Sequence, residues 1–97
     1  MSNQTVVEVR ASHLLVSTEK EAKDCRQEIL DGASFASVAK RVSQCPSGSS
    51  GGDLGFFTRG RMVPEFDAVA FSLPQGELSE PIKTQFGWHL LTVTGVK

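Results

Sequence analysis

Two segments rich in β-branched residues lie near opposite ends of the 97-residue chain, and each contains one of its two histidines. VVEVRASHLLV, at residues 6–16, alternates roughly between apolar and polar side chains, as is typical of a strand with one buried face. FGWHLLTVT, at residues 86–94, has the same character. Because side chains of a strand alternate between faces, one face is predicted to carry Val7, Val9, Ala11, His13 and Leu15, and the matching face of the last strand His89, Leu91 and Val93. If the two strands pair, the two imidazoles lie side by side.

Two helices are predicted directly after the first strand. In TEKE, Thr18 and Glu21 have the spacing of a capping box. The helix that begins there carries Ala22, Cys25 and Ile29 on one side and ends near Gly32. Ser34 is the predicted cap of a second helix, whose apolar stripe consists of Phe35, Val38, Ala39 and Val42.

A glycine-rich stretch, SQCPSGSSGGDLGFF at residues 43–57, separates these helices from the second half of the chain. It lacks the pattern of a phosphate-binding loop, and its glycines at 51, 52 and 55 predict positive φ angles or close backbone packing. We expect residues 46–50 to form a mobile rim and residues 53–57 a short strand. The stretch is therefore predicted to be a shaped loop rather than a linker.

A third helix is predicted to begin near Pro64, since proline is favoured at the first helical position. It carries Phe66, Val69, Ala70 and Leu73 on one side. A turn and a short strand follow in QGELSEPI, before the last strand. The order β-α-α-β-α-β-β predicts an α+β domain with a small, largely antiparallel sheet.

Composition limits the classes of function. The length predicts a single domain over residues 1–97, and a net charge of −1 gives no reason to expect nucleic acid or a membrane as partner. The first residues lack the features of a signal peptide, so we expect a cytoplasmic protein. Two cysteines do not make a disulfide framework.

His13, His89 and Cys45 are the residues most able to carry chemistry. Two satisfied core histidines are the simplest interpretation. A zinc site is disfavoured because the spacings are wrong and a fourth ligand is missing. A cysteine–histidine nucleophile pair and a non-covalent peptide-binding cleft both stay open at this point.

Four motifs in one order resemble the parvulin family, the PpiC-type peptidyl-prolyl cis/trans isomerases. They are ASHLLV at residues 11–16, GGDLGFF at 51–57, RGRMVPEFDAVAFSL at 59–73 and TQFGWHLLTV at 84–93. The resemblance covers nearly the whole chain and is strongest to small single-domain bacterial members. It implies a four-stranded antiparallel sheet surrounded by three to four helices.

The resemblance also implies roles for particular residues. His13, His89, Cys45 and Thr84 match the polar catalytic cluster, whereas Leu54, Phe57, Met62, Phe66 and Phe86 are predicted to contact substrate. Phe86 stands where some relatives carry serine, which suggests a more apolar cleft wall.

The implied activity is isomerisation of X-Pro bonds in peptides and in unfolded or nascent proteins, by a monomer without cofactor or metal. The alternative is a peptide-binding chaperone module with weak or no isomerase activity. Family members that require phosphate carry a basic cluster after the first strand. Here that segment is the short STEKEAKD, at residues 17–24, so we predict no phosphate requirement.

Overall fold

The structure is a computed structural model and describes residues 7–97. Its elements are β1 (Glu8–Val16), α1 (Glu19–Leu30), α2 (Phe35–Val42), a 3₁₀ helix (Pro46–Ser50), β2 (Asp53–Thr58), α3 (Pro64–Ala70), β3 (Ile82–Thr84) and β4 (Gly87–Val96). The predicted order and the α+β class are confirmed. Val6, the predicted start of the first strand, lies outside the described residues.

The four strands form one antiparallel sheet in the order β2-β1-β4-β3. The two histidine-bearing strands are therefore the central pair of the sheet. In their register, His13 lies opposite Leu91, and Leu15 lies opposite His89. This pairing brings residues 76 positions apart in sequence onto neighbouring strands.

Side-chain caps define where α1 and α2 begin. The Thr18 side chain accepts a hydrogen bond from the backbone N–H of Glu21, while the Glu21 carboxylate accepts one from the backbone N–H of Thr18. The Ser34 side chain accepts from the N–H of Ser37 at the start of α2. Both predicted caps are confirmed, and each satisfies N–H groups that a helix leaves without an internal partner.

Helices cover both faces of the sheet. The face beneath α1 and α2 is closed by buried Leu14, Val16, Ala22, Cys25, Val38, Ala39 and Leu90. The face beneath α3 contains buried Val9, Ala11, Phe57, Phe66, Ala70, Phe71, Ile82, Leu91 and Val93. No helix within residues 7–97 is long and apolar enough to cross a membrane.

The glycine-rich stretch differs in one respect from its prediction. Residues 46–50, predicted to be the rim of a loop, form a 3₁₀ helix in which Gly48 is buried, and the mobility of this rim stays a prediction. The predicted positive φ angles are present at Gly51, Gly52 and Gly55. At Gly52 the backbone approaches β1 so closely that an added Cβ would lie 2.2 Å from the carbonyl oxygen of His13. The stretch is therefore packed against the strand that carries His13.

Candidate active site

The imidazoles of His13 and His89 lie side by side on the α3 face of the sheet. Their Nδ1 atoms are 3.3 Å apart. The ring centroids are 5.5 Å apart and the ring planes differ by 18°. Both side chains are buried. Strand parity placed the two rings on one face, and the strand register makes them neighbours.

Each outer imidazole nitrogen contacts a hydroxyl group. His89 Nε2 lies 2.7 Å from Thr84 Oγ1, and the backbone N–H of Phe86 donates to the same oxygen over 3.2 Å. At the other end, His13 Nε2 lies 3.1 Å from Ser47 Oγ. All four imidazole nitrogens are therefore engaged in hydrogen bonds.

Burial keeps both imidazoles neutral near pH 7. Loss of hydration, and secondarily the neighbouring His89, lower the pKa of His13 from 6.5 to about 4. Burial also lowers the pKa of His89. The polar centre of this face consequently carries no net charge at neutral pH.

An apolar cleft of about 400 Å³ opens above the histidines. It is lined by His13, Leu15, Gln44, Cys45, Pro46, Leu54, Met62, Val63, Phe66, Phe86 and His89. The buried ring of Phe66 meets both imidazoles edge to face, with centroid distances of 5.5 Å to His13 and 5.8 Å to His89. The histidines thus form a polar floor beneath a wall of apolar side chains.

Most of the predicted substrate-contacting residues lie around this cleft. Leu54, Met62, Phe66 and Phe86 line it, and Phe86 is 60% exposed at its rim. Phe57 does not. It is buried behind Phe66, with its ring centroid 6.3 Å from that of Phe66 and 5.9 Å from that of Phe71. Phe57 is thus packed in the α3-side core, and its predicted contact with substrate stays a prediction.

Cys45 lies at the cleft but outside the hydrogen-bond network. Among residues 7–97 its thiol contacts neither histidine at hydrogen-bonding distance. Its position is set through the backbone instead, where Ser43 Oγ accepts from the N–H of Cys45 over 3.3 Å and from that of Leu15 over 3.1 Å. Cys25 lies in α1 and is buried in the core cluster between the sheet and the helices α1 and α2, as predicted for a structural cysteine.

The described residues around the cleft do not form a set of metal ligands. Within the described part of the chain, no three His, Cys, Asp or Glu side chains lie together in a metal-binding arrangement.

Sequence reasoning missed Ser47 and Leu15. Leu15 could have been found, because parity groups it with His13. Ser47 gave no signal, since its approach to His13 depends on the 3₁₀ helix and on the close contact at Gly52. Periodicity predicts neither of these.

Comparison with known proteins agrees with this geometry. Residues 10–95 match the family model described as rotamase, PPIC-type PPIase domain. The chain belongs to the PPIC-type peptidyl-prolyl isomerase family. Members of this family are the parvulins, and the domain is a peptidyl-prolyl cis/trans isomerase by class.

The chain is similar to the foldase protein PrsA of Exiguobacterium sibiricum, with 50% identity over 97 residues, 98% of this chain and 32% of that protein. The crystal structure of PrsA from Bacillus anthracis matches 95% of this chain and 43% of its own, with 44% identity and a TM-score of 0.92. NmPin, the parvulin of Nitrosopumilus maritimus, matches with 40% identity and a TM-score of 0.84, covering 92% of this chain and 97% of that one. The chain spans about a third of the length of its PrsA relative, so it corresponds to one part of that foldase.

Proposed function

We propose that this parvulin domain accelerates cis/trans isomerisation of X-Pro bonds in peptides and unfolded proteins without forming a covalent intermediate and without requiring phosphate. The observation that carries the proposal is the apolar cleft with a floor of two neutral, hydrogen-bonded histidines.

The cleft has the size and chemistry to hold a proline ring. Leu54, Met62 and Phe66 supply apolar walls, and thioether and aromatic groups pack well against a saturated ring. A proline ring packed between these walls stays in place while the carbonyl of the preceding residue rotates. The neutral floor lets the ring enter without displacing the hydration of a charged group.

The required catalytic effect is modest. Amide resonance produces a barrier of about 18–20 kcal/mol, and uncatalysed exchange takes on the order of tens to hundreds of seconds. Shortening that time to roughly ten milliseconds is about four decades in rate, or some 5–6 kcal/mol. A cleft that fits the twisted amide better than either planar isomer can supply this difference without a chemical step.

The position of Cys45 supports the non-covalent route. A nucleophile–base pair needs the thiol within hydrogen-bonding reach of an imidazole. Among the described residues, both outer histidine nitrogens instead contact the hydroxyls of Ser47 and Thr84. We therefore assign Cys45 to the cleft wall and not to an attacking role.

The segment after β1 supports the lack of a phosphate requirement. Only residues 17–18 separate β1 from α1, so most of the predicted loop is helix. Its two lysines pair within that helix: Lys20 lies 2.9 Å from Asp24, and Lys23 lies 3.5 Å from Glu19. The segment at residues 17–24 contains no arginine that could bind a phosphate bidentately.

The substrates we propose are protein and peptide segments, consistent with the foldase relative. The monomeric state and the cytoplasmic location that the sequence suggests stay predictions, as does a single domain over residues 1–97.

The test is an exchange-NMR isomerase assay on Ala-X-Pro-Phe peptides, with a panel at X that includes phosphoserine. We expect strong acceleration that varies little between serine and phosphoserine. Peptide binding without acceleration would replace the proposal with the chaperone-module alternative. Acceleration confined to phosphoserine would contradict the account of the segment after β1.

A further inference from the structure

One side chain of the cleft has a hydrogen-bond acceptor without a partner. Of the polar side chains that line the cleft, His13 and His89 have both ring nitrogens engaged, and the thiol of Cys45 is only a weak donor and acceptor. Gln44 differs from these. Its Nε2 donates to Ser17 Oγ over 2.7 Å, whereas its Oε1 accepts no hydrogen bond within the described part of the chain. An amide oxygen has two lone pairs, so Gln44 offers an acceptor to a bound molecule.

Hydrogen bonds to the end of β1 hold Gln44 in place. Its backbone N–H donates to the Leu15 carbonyl over 2.8 Å, and its side chain bonds to Ser17, two residues further along. Ser17 is itself fixed, because its N–H donates to the Glu21 carboxylate over 3.2 Å. An exposed glutamine loses rotamer freedom when a ligand orders it. The bond to Ser17 lowers that cost, since the carboxamide is already ordered.

A peptide in the cleft needs an acceptor of this kind. Proline has no N–H, but the residues before and after it each have one. The walls formed by Leu54, Met62 and Phe66 are apolar, so a peptide N–H that lies beside the proline ring loses water without gaining a partner from them. Gln44 lines the cleft and is exposed, which places it at the rim that the peptide crosses between the cleft and solvent.

We infer that Gln44 is a specificity-determining residue of the cleft: its Oε1 accepts the N–H of the substrate residue that directly precedes or follows the proline, and Ser17 is the positioning residue that holds the carboxamide for this contact. A substrate in which the contacted residue is itself proline lacks the N–H and is disfavoured. The inference rests on the proposed function only in that X-Pro peptides bind in the cleft.

Peptide binding to the full chain, followed by NMR titration, tests the inference without requiring turnover. The probes are Ala-Ala-Pro-Phe and two analogues, in which an ester oxygen replaces the N–H either of the residue before proline or of the residue after it. We expect one of the two esters to bind the wild type about three- to tenfold more weakly than the amide peptide, the effect of one neutral hydrogen bond. Equal affinity for all three peptides would overturn the inference.

Variants of Gln44 identify the acceptor. Gln44→Met removes the amide with little change in side-chain length, and should bind the amide peptide about three- to tenfold more weakly and no better than the sensitive ester. Gln44→Glu keeps an oxygen acceptor and should stay within about threefold of the wild type. A Gln44→Met chain that still distinguished amide from ester as the wild type does would overturn the inference, as would equal losses in the two variants.

Gln27→Met is the matched control. Gln27 makes a similar bond, from Nε2 to Asp31 Oδ1 over 2.9 Å, but it lies in α1 and does not line the cleft. Its substitution should leave the affinity for all three peptides unchanged. A loss equal to that of Gln44→Met would contradict a direct contact with the peptide.

Ser17→Ala tests the positioning role, because it leaves the carboxamide in place without its partner. It should weaken binding of the amide peptide about two- to threefold and reduce the difference between amide and ester without abolishing it. Ser17→Thr keeps the hydroxyl and should restore both. A Ser17→Ala chain that binds and discriminates as the wild type does would contradict the role assigned to Ser17.

Values of kcat/KM for the same peptides separate this inference from the proposed function. Affinities that depend on Gln44 as described, without isomerase activity, would refute the proposed function and retain the role of Gln44. Isomerase activity in a wild-type chain that binds amide and esters equally would refute the role of Gln44 and retain the proposed function.

Discussion

The two faces of the central strand pair differ in what covers them. On one face, Leu14 and Leu90 are fully buried under α1 and α2 in a closed apolar layer. On the other face, His13 and His89 lie beside buried Val9 and Leu91, and a cleft opens above the two histidines. Adjacent residues of one strand thus belong to a closed core and to a site. The comparison indicates that stability and activity can be altered separately by substituting neighbouring residues.

The closed face should give the largest effect on stability. Leu90→Ala removes a side chain that has no exposed surface, and we expect it to lower the free energy of unfolding by about 3–4 kcal/mol through lost burial and a cavity. Activity per folded molecule should change little. Urea denaturation measures the first quantity, with Leu30→Ala as control because Leu30 is 56% exposed. Equal losses in the two variants would contradict the assignment of Leu90 to a closed layer.

The histidine face should make stability depend on pH. Between pH 6.5 and about 4, His13 is protonated in the unfolded chain and neutral in the folded one, so acidification favours unfolding. The loss accumulates to roughly 3 kcal/mol and levels off below about pH 4. Urea titrations of wild type and His13→Asn measure it, since carboxylate contributions cancel in the comparison. If the free energy of unfolding fell equally with pH in the wild type and in His13→Asn between pH 6.5 and about 4, a buried neutral His13 would be contradicted.

Phe66 tests whether the cleft wall matters beyond its contribution to packing. Phe66→Ala should lower kcat/KM about 30-fold, equivalent to about 2 kcal/mol, because the proline ring loses an aromatic contact. Phe71→Ala is the matched control, since Phe71 is also buried in the α3-side core but does not line the cleft. Both variants should be destabilised, and only the first should lose kcat/KM in the folded state. Equal loss of kcat/KM in both would assign Phe66 to packing alone.

Much of the fold could be predicted from the sequence because its signals are local. The capping box of Thr18 and Glu21 and the parity of His13 and His89 depend on short spacings that the structure preserves. Their proximity could also be predicted, since two apolar strands are the natural centre of a small sheet.

Short spacings could not predict which residues line the cleft or contact the histidines and which are buried in the core. Alternation in β2 places Phe57 on the inner face but does not say that it packs against Phe66 instead of lining the cleft. Likewise, the family resemblance places Cys45 beside the histidines, but it did not reveal that Ser47, two residues later, makes the hydrogen bond to His13. Both features depend on how separate elements pack, which short-range periodicity does not contain.

The central claim is that the cleft twists the amide without using the Cys45 thiol. The most direct test is exchange NMR of an Ala-X-Pro-Phe peptide with wild type and Cys45→Ser, accompanied by intact-mass analysis of the chain with bound peptide. We predict that Cys45→Ser keeps kcat/KM within about threefold, because the thiol makes no hydrogen bond to either histidine among the described residues, and that no adduct forms. A loss of many decades, or an acyl group trapped on Cys45, would contradict the account.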